Sequence, residues 1–247
     1  LAPSEMCIRD RDNTVLAIIL ATSMGHFLND MMQSLLPAIY PMLKDNYSLS
    51  FWQIGLLTFT FQMTASILQP LVGIYTDRKP MPYSLPFGMG CTLVGLIFLA
   101  TAHHYSILLL GAAFVGFGSS VFHPEAARVA RLASGGRHGF AQSLFQVGGN
   151  FGSSIGPLLA AFIVLPFGQI SVSWFSVAAL IGMMLLWYVS NWYNRYRIAN
   201  ASKAKPDKTL PLPRNKVLVS VGVLAMLVFT KYIYMASLTS YYTFYTI

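Results

Sequence analysis

Charged residues are scarce in this chain of 247 residues, since only 10% are Asp, Glu, Lys or Arg. A soluble domain usually carries about 25% charged residues, so water is not the only solvent of this chain. The two cysteines, Cys7 and Cys91, are too few for a disulfide framework and too far apart to predict a metal site. We predict no metal, no cofactor and no catalytic residue, and therefore a protein that is not an enzyme.

Hydrophobic residues make up 55% of the chain and its mean hydropathy is +0.57, which predicts an all-α polytopic membrane protein. A membrane-spanning helix needs about 20 mostly apolar residues. Seven stretches meet this requirement, and they lie at residues 15–43, 51–75, 83–101, 106–133, 140–165, 172–193 and 217–247.

The connections between these spans predict the domain organisation. Short loops join the first six spans, whereas residues 195–215 form a longer stretch rich in Lys, Arg and Pro. We predict a charged leader at 1–13, a six-helix bundle at 14–194, a cytoplasmic linker at 195–215 and a seventh helix at 216–247 that begins a truncated second bundle. The leader starts without methionine, and we interpret it as non-native sequence outside the fold.

The basic residues predict the orientation in the membrane, because cytoplasmic loops carry an excess of Lys and Arg. With the N-terminus in the cytoplasm, only Lys44 of the 16 Lys and Arg residues falls in an outer segment, and only Lys231 falls within a span. The net charge of +8 is therefore mainly a topology signal, and no binding to nucleic acid is expected.

Six spans of this kind form two three-helix repeats of inverted topology in many transporters. The first and fourth spans are equivalent in that scheme, and each carries one histidine and one acid. The first span contains His26 and Asp30 in GHFLND, and the fourth contains His123 and Glu125 in FHPE. This weak internal symmetry favours the inverted-repeat arrangement.

Asp30 and Glu125 are the two acids within the predicted spans. A charge at the bilayer centre costs at least about 2.5–3.5 kcal/mol, so both acids are functional candidates. Asp30 lies about 22 Å into the first span, on the same helix face as His26. Glu125 and Arg128 have the spacing of a pair along the fourth helix, and Lys231 lies at a similar depth in the seventh span.

Structural roles stay open for several of these residues. The Asp30–His26 pair can also serve as an interhelical hydrogen bond, and Arg128 can extend to the inner membrane surface. Polar stripes on the second and fifth spans can form helix–helix hydrogen bonds, and the glycines of GGNFGSSIGP permit close helix packing.

The loop after the second span resembles a motif of the major facilitator superfamily of transporters. GIYTDRKP is similar to the G-x-x-x-D-R-x-G-[RK] loop of that superfamily through Gly73, Asp77 and Arg78. The resemblance implies a gating role for these three residues.

The fifth span adds a second resemblance. GSSIGP is similar to the G-x-x-x-G-P signature of proton-linked drug antiporters through Gly152, Gly156 and Pro157. Longer segments, including HFLNDMMQSLLPAIYP and SSVFHPEAARVARLASGGRHG, closely resemble the bacterial fosmidomycin resistance transporters. This resemblance extends from about residue 14 to the end of the chain.

The family resemblance implies a twelve-span fold, of which this chain covers the N-terminal six-helix bundle and span seven. It implies a bacterial inner-membrane antiporter that exports drugs, including a phosphonate antibiotic, in exchange for protons. We predict that Asp30 and Glu125 are the proton-coupling carboxylates. Polar residues on several spans are expected to contact substrate, namely His26, Asn29, His123, Arg128, Gln146, Asn150 and Lys231. The expected partners are a small anionic or drug substrate, protons and the lipid bilayer, and the full-length protein is expected to be a monomer.

Other functions stay open at this point. The same fold could serve an uptake carrier for an organic anion. A seven-span receptor or retinal protein could use Lys231 for a Schiff base, although such proteins place the N-terminus outside, against the charge bias. The fragment could also be inactive alone, since half a cavity cannot alternate its access.

Overall fold

The computed structural model describes residues 14–200 and 213–245, and every regular element within these ranges is helical. The chain divides into two compact units, Leu1–Ala201 and Ser202–Ile247, which are considered separately below. The predicted leader at 1–13 and residues 201–212 of the predicted linker lie outside the described residues.

The helices of the first unit are α1 (Leu16–Ala38), α2 (Tyr40–Asn46), α3 (Phe51–Gln62), α4 (Leu68–Arg78), α5 (Ser84–Thr101), α6 (Tyr105–Leu132), α7 (His138–Leu159), α8 (Leu165–Phe167) and α9 (Phe175–Ala199). A π-helical turn at Met63–Ile67 joins α3 to α4, and another at Ala160–Val164 joins α7 to α8. A 3-10 turn at Gln169–Trp174 precedes α9. The second unit contributes α10 (Arg214–Tyr245).

Prolines explain where the two π-helical turns occur. Pro70 has no N–H to offer the Ser66 carbonyl and its ring crowds that group, and Pro166 stands in the same relation to Phe162. Both carbonyls lie within the π-helical turns, where the wider backbone accommodates the proline. Each span therefore continues through its proline as one helix, of 28 and 30 residues respectively.

Five of the described helices are long and apolar enough to cross a membrane, namely Phe51–Arg78, Ser84–Thr101, Tyr105–Leu132, His138–Phe167 and Gln169–Ala199. They confirm the predicted second to sixth spans. α1 is long enough to cross a membrane but does not reach the same hydropathy, and His26, Asn29, Asp30 and Gln33 interrupt its apolar sequence. Membrane crossing by α1 and α10 stays a prediction.

The contacts of the first unit link the two predicted three-span sets to each other. α1 packs most extensively against α7, which belongs to the second set, and α6 packs against α3, α4 and α5 of the first. Ile18 and Phe122 are fully buried between the helices, whereas Trp52 and Phe162 are exposed on the outside, as expected for lipid contact. α1, α6 and α7 thus meet in the interior, where the polar residues of α1 find partners.

Candidate functional site

Three titratable side chains meet where α1 faces α6. Asp30 and His26 lie one turn apart on α1, and Nε2 of His26 is 3.3 Å from Oδ2 of Asp30. His123 on α6 approaches the other carboxylate oxygen, with its Nε2 3.3 Å from Oδ1 of Asp30. We term these three residues the His–Asp–His cluster. Their facing nitrogen and oxygen atoms all lie within 4.8 Å of one another, and the two 3.3 Å nitrogen–oxygen contacts are short enough for each histidine to share a proton with Asp30.

Backbone carbonyl groups hold both histidine rings in place. Nδ1 of His26 donates to the Phe145 carbonyl of α7 at 2.8 Å, and the two rings stack with centroids 4.0 Å apart. Nδ1 of His123 donates to the Ser119 carbonyl, one turn earlier on α6, at 3.0 Å. The two histidine rings meet edge to face at 5.1 Å. The cluster is therefore anchored on three helices, and Nε2 of each ring faces Asp30.

Burial is uneven within the cluster. The side chain of His26 is 3% exposed, whereas those of Asp30 and His123 are 19% and 25% exposed. Buried Asn29 donates from Nδ2 to Oδ1 of Asp30 at 3.1 Å. Asp30 and His123 are therefore the more accessible members of the cluster, and His26 is the most deeply buried.

A second charged cluster links α6 to the end of α4. Nη1 of Arg128 is 2.5 Å from Oε1 of Glu125 and 3.1 Å from the Thr76 carbonyl, and its Nη2 pairs with Asp77. The Glu125 side chain is 1% exposed, while that of Asp77 is 71% exposed. We term Thr76, Asp77, Glu125 and Arg128 the Arg128 bridge. The predicted Glu125–Arg128 pair is confirmed, and Arg128 supplies the charge that a buried carboxylate requires.

The structure brings Asp30 and Glu125 into different surroundings. Asp30 pairs with two histidines, one from each of the spans related by the predicted repeat. Glu125 pairs with Arg128 and does not belong to the group of titratable side chains around Asp30. The sequence symmetry gave no indication that the histidine of the fourth span would pair with the acid of the first.

The remaining predicted residues lie in several places. Gln146 and Asn150 are exposed on α7, and Gly73 lies within α4, which ends at the exposed Arg78. Lys231 lies on α10, in the second unit. Their roles in substrate binding and gating stay predictions.

The glycines of the fifth-span motif bring α7 close to α1. A Cβ atom at Gly152 would meet the Phe27 carbonyl and the Met31 backbone nitrogen, and one at Gly156 would lie 2.6 Å from the Met31 carbonyl. The two glycines therefore have a direct structural role in helix packing, whereas Pro157, the last residue of the motif, lies on the exposed face of α7.

Two residues that shape the cluster were missed from the sequence. Phe145 supplies the carbonyl and the ring that hold His26. Gly149 provides the space for the same ring, because a Cβ atom there would fall against its carbon and nitrogen atoms. The glycine-rich run signalled close packing, but it did not reveal which side chain fills the space.

A cavity of about 1240 Å³ lies among α5, α6 and α9. Its lining is apolar, with Phe87, Phe117 and Trp187 among the contributing side chains, and it contains none of the predicted site residues. The polar clusters are therefore the better candidates for ion and substrate chemistry.

Comparison with known proteins shows the family. The Major Facilitator Superfamily sequence model matches residues 22–247. The chain is 57% identical over 232 residues to the fosmidomycin resistance protein of Escherichia coli (strain K12), which covers 94% of this chain and 57% of the relative. It is 41% identical over 189 residues to an uncharacterized MFS-type transporter of Bacillus subtilis (strain 168), covering 76% of this chain and 46% of the relative. The chain thus spans about half the length of the curated relatives it matches.

The fold agrees with this assignment. A crystal structure of the peptide transporter POT in complex with sulfate matches with a TM-score of 0.57 at 14% identity, covering 96% of this chain and 50% of that chain. At this identity the likeness concerns the fold alone, and it is the fold of a multi-pass membrane transporter. The chain belongs to the major facilitator superfamily, and it resembles the fosmidomycin resistance transporters within it.

Proposed function

We propose that the complete protein is a proton-coupled antiporter of the bacterial inner membrane that exports drugs such as the phosphonate antibiotic fosmidomycin. The name of the relative at 57% identity supports the choice of drug, because export lowers the concentration of an antibiotic inside the cell. The observation that carries the coupling is the His–Asp–His cluster, which places an acid and two histidines within reach of one another inside the bundle.

Coupling follows from what a proton does to this cluster. Intramembrane ionisable groups commonly mark proton and substrate pathways. Here the proton-binding groups lie on α1 and α6, while α7 holds His26 through the Phe145 carbonyl. A change of charge therefore acts at the contact of three helices. It shifts the balance between inward- and outward-facing states because the two states bind protons with different affinity.

The Arg128 bridge supplies a gate at the cytoplasmic end. It ties Asp77 of the Gly73–Asp77–Arg78 motif to α6 through Arg128. In this proposal Glu125 is the second coupling carboxylate, and its protonation releases Arg128 from the pair that now holds it. Opening on the cytoplasmic side then requires the bridge to break, so proton uptake and gating occur in the same place.

Substrate contacts come from polar groups on several spans. Histidine, arginine and lysine side chains donate charge-assisted hydrogen bonds to phosphonate oxygens, and amide groups orient the rest of a small molecule. The proposed contacts are His26, Asn29, His123, Arg128, Gln146, Asn150 and Lys231. The exposed amides of Gln146 and Asn150 on α7 and the partly exposed His123 support this assignment.

The coupling assignment is tested by neutral replacements of the two acids in the complete transporter. We expect Asp30→Asn and Glu125→Gln each to abolish fosmidomycin export driven by a pH gradient in inverted membrane vesicles, and to restore drug sensitivity in cells. Asp45→Asn is the matched control, because Asp45 is exposed at the end of α2, and it should export normally.

Undiminished proton-driven export in both Asp30→Asn and Glu125→Gln would refute the assignment of these acids to proton coupling. The same vesicles decide between export and the alternative of uptake with protons. An antiporter moves protons against the drug, whereas an uptake carrier moves the two in the same direction.

A further inference from the structure

The hydrogen bonds of the two histidines determine where the His–Asp–His cluster can hold protons. Nδ1 of His26 faces the Phe145 carbonyl at 2.8 Å. Nδ1 of His123 faces the Ser119 carbonyl at 3.0 Å and the Ser119 hydroxyl oxygen at 3.2 Å, and that hydroxyl can accept from the same N–H. A carbonyl oxygen accepts hydrogen bonds and cannot donate them. Both Nδ1 atoms therefore carry hydrogen, and a neutral ring in either position has a bare Nε2.

Both Nε2 atoms face the same carboxylate. His26 lies 3.3 Å from one oxygen of Asp30 and His123 lies 3.3 Å from the other. An ionised carboxylate is also an acceptor. Without a proton between the nitrogen and the oxygen, each contact would therefore place two lone pairs against each other, which is repulsive. Oδ1 additionally accepts from Asn29, which fits an oxygen that carries no proton. The arrangement holds two proton positions, one in each nitrogen–oxygen contact.

The contacts that α7 and α9 make around His26 involve uncharged groups. The two ion pairs at Asp30 join members of the cluster to one another, whereas the Arg128 bridge joins Arg128 to Glu125 and Asp77. α7 faces His26 with the ring and carbonyl of Phe145 and with Gly149, none of which titrates. α9 reaches α1 with the apolar Leu186.

We infer that the protons taken up by the His–Asp–His cluster reside on Nε2 of His26 and on Nε2 of His123, and that Asp30 contributes to coupling as an ionised positioning residue between them. This inference rests on the proposed proton coupling and specifies it. Loading adds one proton to each Nε2 lone pair and breaks no bond in the protein. The formal charge of the cluster rises from minus one to plus one, and release of both protons reverses the change.

The unequal burial of the rings gives the two positions an order. His123 is 25% exposed and His26 is 3% exposed, so a proton from the aqueous side meets His123 and Asp30 first. Asp30 contacts both rings through different oxygens, and its negative charge stabilises the second proton on the more deeply buried His26.

The test is nuclear magnetic resonance of the complete transporter in lipid bilayers, with ¹⁵N-labelled histidine. The nitrogen shift separates a protonated ring nitrogen from a bare one, and His26→Gln and His123→Gln assign two of the five histidines. At the pH of the export assay we expect both cluster rings to carry protons on both nitrogens. Asp30→Asn should return both to the form protonated at Nδ1 alone. His138→Gln is the control, since His138 contacts Ser134 outside the cluster, and it should leave both signals in place.

Infrared spectroscopy gives a second reading on the wild-type protein at the same pH. If Asp30 is ionised, the wild-type spectrum contains no protonated-acid band from Asp30. The spectra of the wild-type protein and of Asp30→Asn should therefore not differ by the loss of such a band. Such a band, or a bare Nε2 in both rings, would overturn the inference. If Asp30→Asn does not accumulate in the membrane, the nitrogen shifts of the two rings in the wild-type protein are sufficient to test the inference.

The spectra and the transport assay fail independently of each other. Bare Nε2 atoms in a protein whose export depends on Asp30 would refute the histidine carriers and leave the antiporter proposal standing. Doubly protonated rings in a protein that exports equally well as Asp30→Asn would keep the proton positions and refute the coupling.

Discussion

Gly149 shows how a residue without a side chain can set the position of a functional one. It lies on α7 opposite the ring of His26, and a Cβ atom there would meet three atoms of that ring. The ring cannot retreat easily, because it stacks on Phe145 and is hydrogen-bonded to the carbonyl of the same residue. The contact between His26 and Asp30 therefore depends on glycine at this position.

We expect Gly149→Ala to lower proton-coupled export by about tenfold or more, because forcing a methyl group into a packed site costs about 1–3 kcal/mol and here pushes Nε2 of His26 away from Asp30. Gly139→Ala is the matched control on the same helix, since a Cβ atom there has nothing within 4 Å. Export is measured in vesicles at equal protein content. Normal export by Gly149→Ala would show that the His26 position is unimportant.

At the residue scale the sequence predicted the contacts within one helix, but not those between helices. Asp30 and Glu125 were identified because acids within apolar spans are rare, and helical spacing correctly paired His26 with Asp30 and Glu125 with Arg128. The contact of His123 with Asp30 joins two distant helices, so spacing along the chain could not reveal it. The Phe145 carbonyl was equally hidden, because every residue carries one.

α6 is the element that connects the two charged clusters. His123 points from it to α1, while Glu125 and Arg128 on the same helix meet the end of α4. Its length was predicted from hydropathy to within a few residues, but the partner of each face depends on how the helices pack. The π-helical turns were not predicted either, although the prolines that explain them are visible in the sequence.

The Arg128 bridge makes α6 sensitive to the loss of a single charge. We expect Arg128→Gln to destabilise the complete protein by about 3–5 kcal/mol, the usual cost of leaving a buried charge without its partner. The double variant Glu125→Gln with Arg128→Gln should recover much of this loss, because it removes both charges together. Unfolding by denaturant in detergent measures the difference between the variants.

Arg131→Gln provides the control for that comparison, since Arg131 is exposed near the end of the same helix and its replacement should change stability little. A double variant that is no more stable than Arg128→Gln would contradict the assignment of Glu125 as the buried partner.

In the first unit the distribution of polar and apolar side chains is the reverse of that in a soluble protein. Large apolar side chains such as Trp52 and Phe162 are exposed, and the polar residues of α1 lie inside. Composition alone predicted this class of molecule, and hydropathy predicted five of its spans. α1 falls below the same hydropathy because it carries His26, Asn29 and Asp30, so the polar residues of the candidate site weaken the membrane signal of their own helix.

The charge distribution makes a prediction about orientation that the two ends of α5 can test. Met81 and His103 flank this helix and are both exposed, and the positive-inside rule places Met81 in the cytoplasm and His103 outside. In a background without Cys7 and Cys91, we expect a membrane-impermeant maleimide to label His103→Cys in spheroplasts and Met81→Cys only in inverted vesicles. Both variants lie on loops away from the clusters, so export serves as a check that each is folded. The reverse labelling pattern would place the N-terminus outside and would move the Arg128 bridge to the outer face of the membrane.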